Sequence, residues 1–193
     1  MNLLPFSPER TMRSVEKVRE RLLRATAALE RSSIPYAVIG GNAVAAWVSR
    51  VDESAVRFTQ DVDLLVDRSD FEKVQNVLEG AGFQYRHAAG VELFLDGPNA
   101  KARDAVHVVF AGEYVREGEP AANPSVSDSE HTGEYRIASL RAVVQIKLTA
   151  FRDKDRTHLR DLISVGLLDA SWLPTLPDEL ARRLKAILDV PNG

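Results

Sequence analysis

Arg57-Phe58-Thr59-Gln60-Asp61-Val62-Asp63-Leu64-Leu65-Val66 is the stretch of this 193-residue chain that decides its fold. It reads as a strand. Side chains alternate between faces along a strand, so Arg57, Thr59, Asp61 and Asp63 are expected on one face and Phe58, Val62 and Leu64 on the other. Two carboxylates one strand step apart repel each other and are costly to desolvate unless a cation lies between them, which suggests a divalent metal site. The plainer alternative is a half-exposed edge strand with charges on its wet face, and an Asp-x-Asp pair by itself does not separate the two.

Upstream, Tyr36-Ala37-Val38-Ile39 is a short apolar run of buried-strand type that stops at Gly40-Gly41-Asn42 and continues into the alanine-rich Ala43-Val44-Ala45-Ala46-Trp47. This predicts strand, glycine turn, helix. Glycines at such a junction let backbone N–H groups approach a ligand, and the helix start favours an anion such as phosphate. Before it, Ser7-Pro8-Glu9 has the form of a helix start, and Met12, Val15, Val18, Leu22 and Leu29 recur at helical spacing. Residues 8–31 are therefore expected to be an amphipathic helix, with Arg13, Lys17, Arg21 and Arg24 on its other faces.

Downstream, Ser69-Asp70-Phe71-Glu72 matches a capping box and opens a helix that ends at Gly80 and Gly82. Residues 83–87, 91–95 and 105–110 read as further strands. About five strands with helical crossovers and a hairpin predict a mixed α/β sheet. Residues 112–134, rich in Gly, Pro and acids, read as a long loop, a lid or a linker. After it come three helices: one through Leu140, Val143, Val144, Leu148 and Phe151, a second through Leu159, Leu162 and Ile163 with Asp153 as its cap, and a third over about 178–188. The expected organisation is an α/β core with its N-terminal helix (1–111), an acidic loop (112–137) and a C-terminal helical part (138–193).

Composition narrows the class. There is no cysteine, which removes disulfides, thiolate zinc sites and a cysteine nucleophile and suits a reducing cytoplasm. No apolar run approaches the roughly 20 residues needed to span a bilayer, and Met1–Pro5 is too short for a signal peptide, so a cytoplasmic protein with no membrane partner is expected. A net charge of -3 argues against a general nucleic-acid coat. The charge is uneven: residues 1–31 hold seven Lys or Arg against four acids, and 141–160 hold six against two, whereas 112–134 hold six acids and one Arg. Basic helices around an acidic loop suit a polyphosphate or an RNA end, or are simply solvated faces. His87, His131 and His158 lack zinc spacing, and no serine lies in a nucleophile elbow.

Gly40-Gly41 at a strand-to-helix turn, followed by Asp61-x-Asp63 on the next strand, resembles the nucleotidyltransferase superfamily of the DNA polymerase beta type. Arg57-x-Thr59-x-Asp61-x-Asp63, with Lys147-Leu148-x-Ala150-x-Arg152-Asp153-Lys154-Asp155 and Asp161, resembles more narrowly the AbiEii-like toxin nucleotidyltransferases of bacterial toxin–antitoxin pairs. The resemblance spans about residues 34–168. It implies a nucleotidyltransferase-type mixed sheet, an NTP substrate held at Gly40, Gly41 and Asn42, magnesium or manganese on Asp61 and Asp63, Thr59 on the same face, and a phosphate contact from Lys147. It further implies an RNA or protein acceptor and a cognate antitoxin.

One position departs from the pattern. The superfamily's third carboxylate is expected within Val106-His107-Val108-Val109-Phe110, where His107 stands. Imidazole is a poor magnesium ligand but can serve as a base, its reference pKa being about 6.5, or as a hydrogen-bonded core group. Asp104 has the wrong strand parity to replace it, and Glu92 or Asp96 would reach the site only in a favourable register. Two readings follow: a metal-dependent transferase with Asp61, Asp63 and His107 in the catalytic centre, or a catalytically silent nucleotide-binding or protein-interaction module of the same fold.

Overall fold

The structure, a computed structural model, describes residues 7–97, 100–101 and 104–190. Helix α1 (Pro8–Arg31) begins as its sequence predicts, with Ser7 accepting from the Arg10 amide. Then follow β1 (Tyr36–Ile39), α2 (Gly40–Ser49), β2 (Val62–Val66), α3 (Phe71–Gly80), β3 (Gln84–Ala88), β4 (Val91–Leu95) and β5 (Ala105–Phe110). The chain continues through β6 (Ser129–His131), β7 (Arg136–Ala138), α4 (Leu140–Ala150), α5 (Asp153–Ser164) and α6 (Asp178–Asp189). The described strands form one sheet in the order β3-β4-β5-β2-β1-β7-β6. Pairs β2–β5 and β1–β7 are parallel and the others antiparallel, so the sheet is mixed, as expected.

Seven described strands replace the expected five. The two additional ones are three-residue strands joined around Gly133, too short to carry a readable alternation, and β7 extends the sheet by pairing Ile137 with Val38. The acidic segment before β6 is pinned to the body: Asn123 donates to the Phe110 carbonyl, Gln145 donates to the Ala122 carbonyl, and Val126 is buried.

Each sheet face builds its own core. Val62, Leu64 and Val66 of β2, with Val38, Phe94, Val106 and Val108, pack under Val18, Leu22, Ala25 and Leu29 of α1 and Val74 and Leu78 of α3. On the opposite face Ala37, Ile39 and Leu65 pack against α2, α4, α5 and α6. The helices after the acidic segment thus share a hydrophobic core with the sheet. Asp63 has the parity of Leu65, which aims its carboxylate at the α2–α4–α5 side.

Four local expectations are corrected. The strand does not run from Arg57: residues 57–61 are irregular and β2 begins at Val62, leaving Phe58 74% exposed. The cause is a missing partner, because β1 ends at Ile39 where the chain turns into α2. Beyond that point side chains take the ladder's place: Asn42 donates to the Asp61 carbonyl (2.7 Å) and Arg21 to the Gln60 carbonyl (3.1 Å). Arg21, expected on a solvated face of α1, is accordingly buried, with Asp96 accepting from its Nε at 3.1 Å. At α3 no capping box forms, since a 3-10 turn over Arg68–Asp70 precedes the helix and Asp70 pairs with Lys73 instead. At α5 the N-terminal carboxylate is Asp155, which accepts from the Arg152 amide, while Asp153 pairs with Arg156.

Candidate active site

The site begins at the break between β1 and α2. Gly40 sits there with φ +69, and a Cβ built on it would lie 1.9 Å from Oδ2 of Asp63. Gly41 is confined too, though less, since its Cβ would stand 2.8 Å from the Cβ of Thr59. Gly40 is therefore required by contact as well as by conformation and Gly41 by contact: they let the carboxylate strand and the Thr59 segment close onto the start of α2. Asn42 supports the same closure through the Asp61 carbonyl.

Strand pairing then brings in His107. Antiparallel β1 places Ile39 opposite Asp63, and parallel β5 places His107 opposite Asp63 on its other side. His107 Nδ1 lies 3.2 Å from Asp63 Oδ1, so the carboxylate has one oxygen toward the imidazole and the other toward Gly40. Burial acts to raise the Asp63 pKa, but the hydrogen bond and charge of His107, with the charges of Lys147 and Lys154, hold it below the ordinary carboxylate value. An ionised carboxylate only accepts, so Nδ1 of His107 carries the proton between them. Asp61, half-buried, lies two residues ahead on the irregular approach to β2.

The register also settles which acids stay away. Leu93 stands opposite His107, so Glu92 and Asp96 belong to the other face. Glu92 accepts from Tyr85 (2.7 Å) and lies 3.0 Å from His87, and Asp96 is held by Arg21 and Arg24. Asp104 stands 3.9 Å from Arg21. Among the described residues no three His, Cys, Asp or Glu side chains converge as a metal cluster. Two carboxylates nonetheless suit a hard divalent ion that draws its remaining ligands from substrate phosphates and water, and the Gly40 side of Asp63 is where a phosphate at the α2 start would meet it.

Residues 9–136 match the family described as uncharacterised nucleotidyltransferase. The chain belongs to that family. No curated protein sequence matches it. Among solved structures it is similar to the solution structure of the antibiotic-resistance factor ANT(2'')-Ia, at 16% identity and a TM-score of 0.56 over 91% of each chain. It is also similar to the crystal structure of ANT(2'')-Ia in complex with adenylyl-2''-tobramycin, at 16% identity and a TM-score of 0.52 over 97% of this chain and 100% of that one. At such identity the likeness concerns the fold. Nucleotidyltransferases generally use divalent metals.

Behind this nucleotidyltransferase's carboxylates lies a second polar layer that sequence reasoning only partly found. Lys147, expected at the phosphates, is buried in α4 and donates to Asp155 Oδ1 at 3.0 Å. Arg152 donates to the other oxygen at 2.7 Å, so the fully buried Asp155 carries two cations. Burial works to raise the Asp155 pKa, yet Arg152 and Lys147 hold it below its ordinary value; burial draws Lys147 down against the pull of Asp155. The geometry around Asp155 depends on the corner at Phe151, whose φ of 48 turns the chain from α4 into α5. Arg57, exposed on the irregular segment, reaches Asp161 of α5 at 2.8 Å and ties the approach to Asp61 to the C-terminal helices. The advance signals for this layer are Lys147, an ammonium within an otherwise apolar helix, and the spacing that follows it to Arg152, Asp155 and Asp161.

His158 adds a pH dependence. Burial, aided by the charge of Lys147, lowers its pKa to about 4, and its buried Nδ1 has no hydrogen-bond partner. The unfolded chain binds that proton near pH 6.5 and the folded chain only near 4, so protonation between these values favours unfolding. Stability is expected to fall as pH drops from 6.5 to 4. After discounting for partial exposure, the His158 share is about 1–2 kcal/mol. Chemical denaturation of wild type and His158→Gln at pH 7 and pH 4.5 checks this: the wild type should lose more.

Proposed function

We propose that this chain is a metal-dependent nucleotidyltransferase that moves a nucleoside monophosphate from an NTP to an acceptor hydroxyl, releasing pyrophosphate. One observation carries the reading: the Asp63 carboxylate is seated against Gly40 at the start of a helix, which joins a carboxylate to an anion-binding turn. Asp61 and Asp63 would hold magnesium or manganese, and Gly40, Gly41, Asn42 and Thr59 would form the wall against which the triphosphate lies. When bound, the metal supplies positive charge to the phosphates as negative charge builds on the leaving group. The chain's own residues orient and hold: Asn42 fixes the Asp61 segment, His107 fixes one Asp63 oxygen, and the Asp155 layer supplies positive field behind Asp63. Residues 1–111 would carry this centre, with 138–193 closing one side and 112–137 linking them.

For the acceptor we favour an RNA end or a protein hydroxyl, and for the biological setting an AbiEii-like toxin in the cytoplasm with a cognate antitoxin. The motif residues behind that narrower reading, Arg57, Lys147, Asp155 and Asp161, form two ion pairs, one joining α5 to the segment ahead of β2 and the other joining α5 to α4, which supports it. The alternative acceptor, a small polyhydroxylated molecule, draws on the similar structure that holds adenylyl-2''-tobramycin.

The test is incubation with each α-labelled NTP, magnesium or manganese, and in turn total RNA, cell protein and tobramycin. Label should transfer to one acceptor class and fall at least ~100-fold in Asp61→Ala with Asp63→Ala. No transfer, or transfer that survives the double substitution, rejects the proposal. A second reading, a silent nucleotide-binding module, is favoured by His107 occupying the register position opposite Asp63 where a third carboxylate is expected. It requires saturable NTP binding with no pyrophosphate release.

A further inference from the structure

Arg21 is a cation in an apolar row. Its neighbours on α1, Val18, Leu22 and Ala25, pack into the core under the sheet, and Arg21 is as buried as they are, with 4% of its surface exposed. Its guanidinium spreads over acceptors from three parts of the chain. Asp96 Oδ2 accepts from Nε at 3.1 Å, the Gln60 carbonyl accepts from Nη1 at 3.1 Å, and Asp104 Oδ1 lies 3.9 Å from Nη2. Arg24 also pairs with Asp96, so that carboxylate keeps a counter-charge without Arg21. A buried ion pair seldom stabilises a fold more than apolar packing of the same volume would. What Arg21 adds is direction: a planar guanidinium braced by two carboxylates holds its remaining N–H on one line.

That line ends beside Asp61. The Gln60 carbonyl belongs to the peptide unit before the Asp61 Cα, and the Asp61 carbonyl, which accepts from Asn42 at 2.7 Å, belongs to the unit after it. Peptide units are planar, so holding both sets φ and ψ of Asp61 from outside, and the Cα–Cβ bond follows. No strand ladder holds this segment, since β2 begins only at Val62. We infer that Arg21 is a positioning residue for the Asp61 carboxylate: with Asn42 it clamps the two peptide units flanking Asp61, one from α1 and one from α2, and so sets the aim of a metal ligand. This rests on the nucleotidyltransferase reading and adds to its centre a residue from a helix that otherwise packs the core. Aim matters there, because a shift of about 1 Å in a group that orients the reacting atoms can cost about 100-fold in rate.

The experiment is titration of the full chain with manganese, the free ion being followed by electron paramagnetic resonance, with melting temperature and label transfer measured alongside. Arg21→Met lets the side chain join the apolar row, and Arg21→Lys keeps the charge against Asp96 and Asp104 without the planar fork. Both should stay folded, because Asp96 retains Arg24 and the two carboxylates are partly exposed. Manganese affinity should fall about tenfold in Arg21→Met and about threefold in Arg21→Lys, and transfer about 10- to 100-fold in Arg21→Met. The deciding comparison is made in Asp61→Asn, where adding Arg21→Met should change manganese affinity and residual transfer by less than about twofold, because the two residues act as one unit. Should Arg21→Met melt below the assay temperature, Arg21→Lys carries the same comparison. Wild-type manganese affinity and transfer in both Arg21 variants, or equal losses with and without the Asp61 carboxylate, overturns this inference alone. Absence of both manganese binding and label transfer in the wild type overturns it together with the proposed function.

Discussion

Gly40→Ala is expected to abolish nucleotidyl transfer and to cost the fold about 2–4 kcal/mol. Two effects add at this position. The backbone holds φ at +69, which an L side chain occupies at a cost of roughly 1–2 kcal/mol. The new methyl would also lie 1.9 Å from Asp63 Oδ2 and 3.0 Å from Asp63 Cβ, so either α2 or β2 must retreat. If β2 retreats, Asp63 leaves both Gly40 and His107, and transfer should drop more than ~100-fold even where the protein stays folded. Gly41→Ala meets only the Thr59 side chain, at 2.8 Å, without a positive φ. It should cost less stability, about 1–2 kcal/mol. Urea denaturation of both variants, with label transfer assayed below the transition, separates the two effects. Equal stability loss at the two glycines would show that the Asp63 contact is not what confines Gly40.

Asp155→Ala should destabilise the protein by about 3–5 kcal/mol, the range for removing one partner of a buried ion pair. Asp155 has no exposed side-chain surface, and its loss would leave Lys147, itself buried, as an uncompensated ammonium in the core shared by α2, α4, α5 and α6. The companion variant distinguishes charge from packing. Lys147→Met with Asp155→Leu removes both charges while keeping volume, and should recover most of the lost stability even though Arg152 is also left without a partner. Arg152 is 47% exposed and can turn to water, so its contribution is small. Transfer activity should not recover with stability, because the double variant has lost the positive charge that Lys147 directs at Asp63. Recovery of both would make the Asp155 layer purely structural.

Much of the fold is legible in the chain because it is written in local signals. The limits of α1 follow from Ser7-Pro8 and the apolar spacing, and the turn at Gly40-Gly41 ends an apolar run of strand type as it should. The alternation from Val62 onward places Asp63 on the opposite face from Leu64. The parity of His107 relative to Val106 and Val108 is equally readable. Where a signal was too short or depended on a neighbour, it misled. Strands β6 and β7 hold three residues each, and residues 57–61 lost their strand because β1 stops alongside them.

Local order along the chain sets the residue types of the site: two glycines at a strand-to-helix turn, two carboxylates near the next strand, an imidazole within a later one. Which of them meet depends on how the elements pack. Asp63 touches His107 because β5 pairs in parallel with β2, and Glu92 is excluded because β4 registers Leu93 against His107. Lys147 turned from a candidate phosphate contact into the buried partner of Asp155 because α5 folds back over α4. The difference is one of range. Backbone propensity and side-chain parity act over a few residues, whereas strand order and helix packing join residues 40 or 100 positions apart through the burial of apolar surface that no local segment can achieve alone.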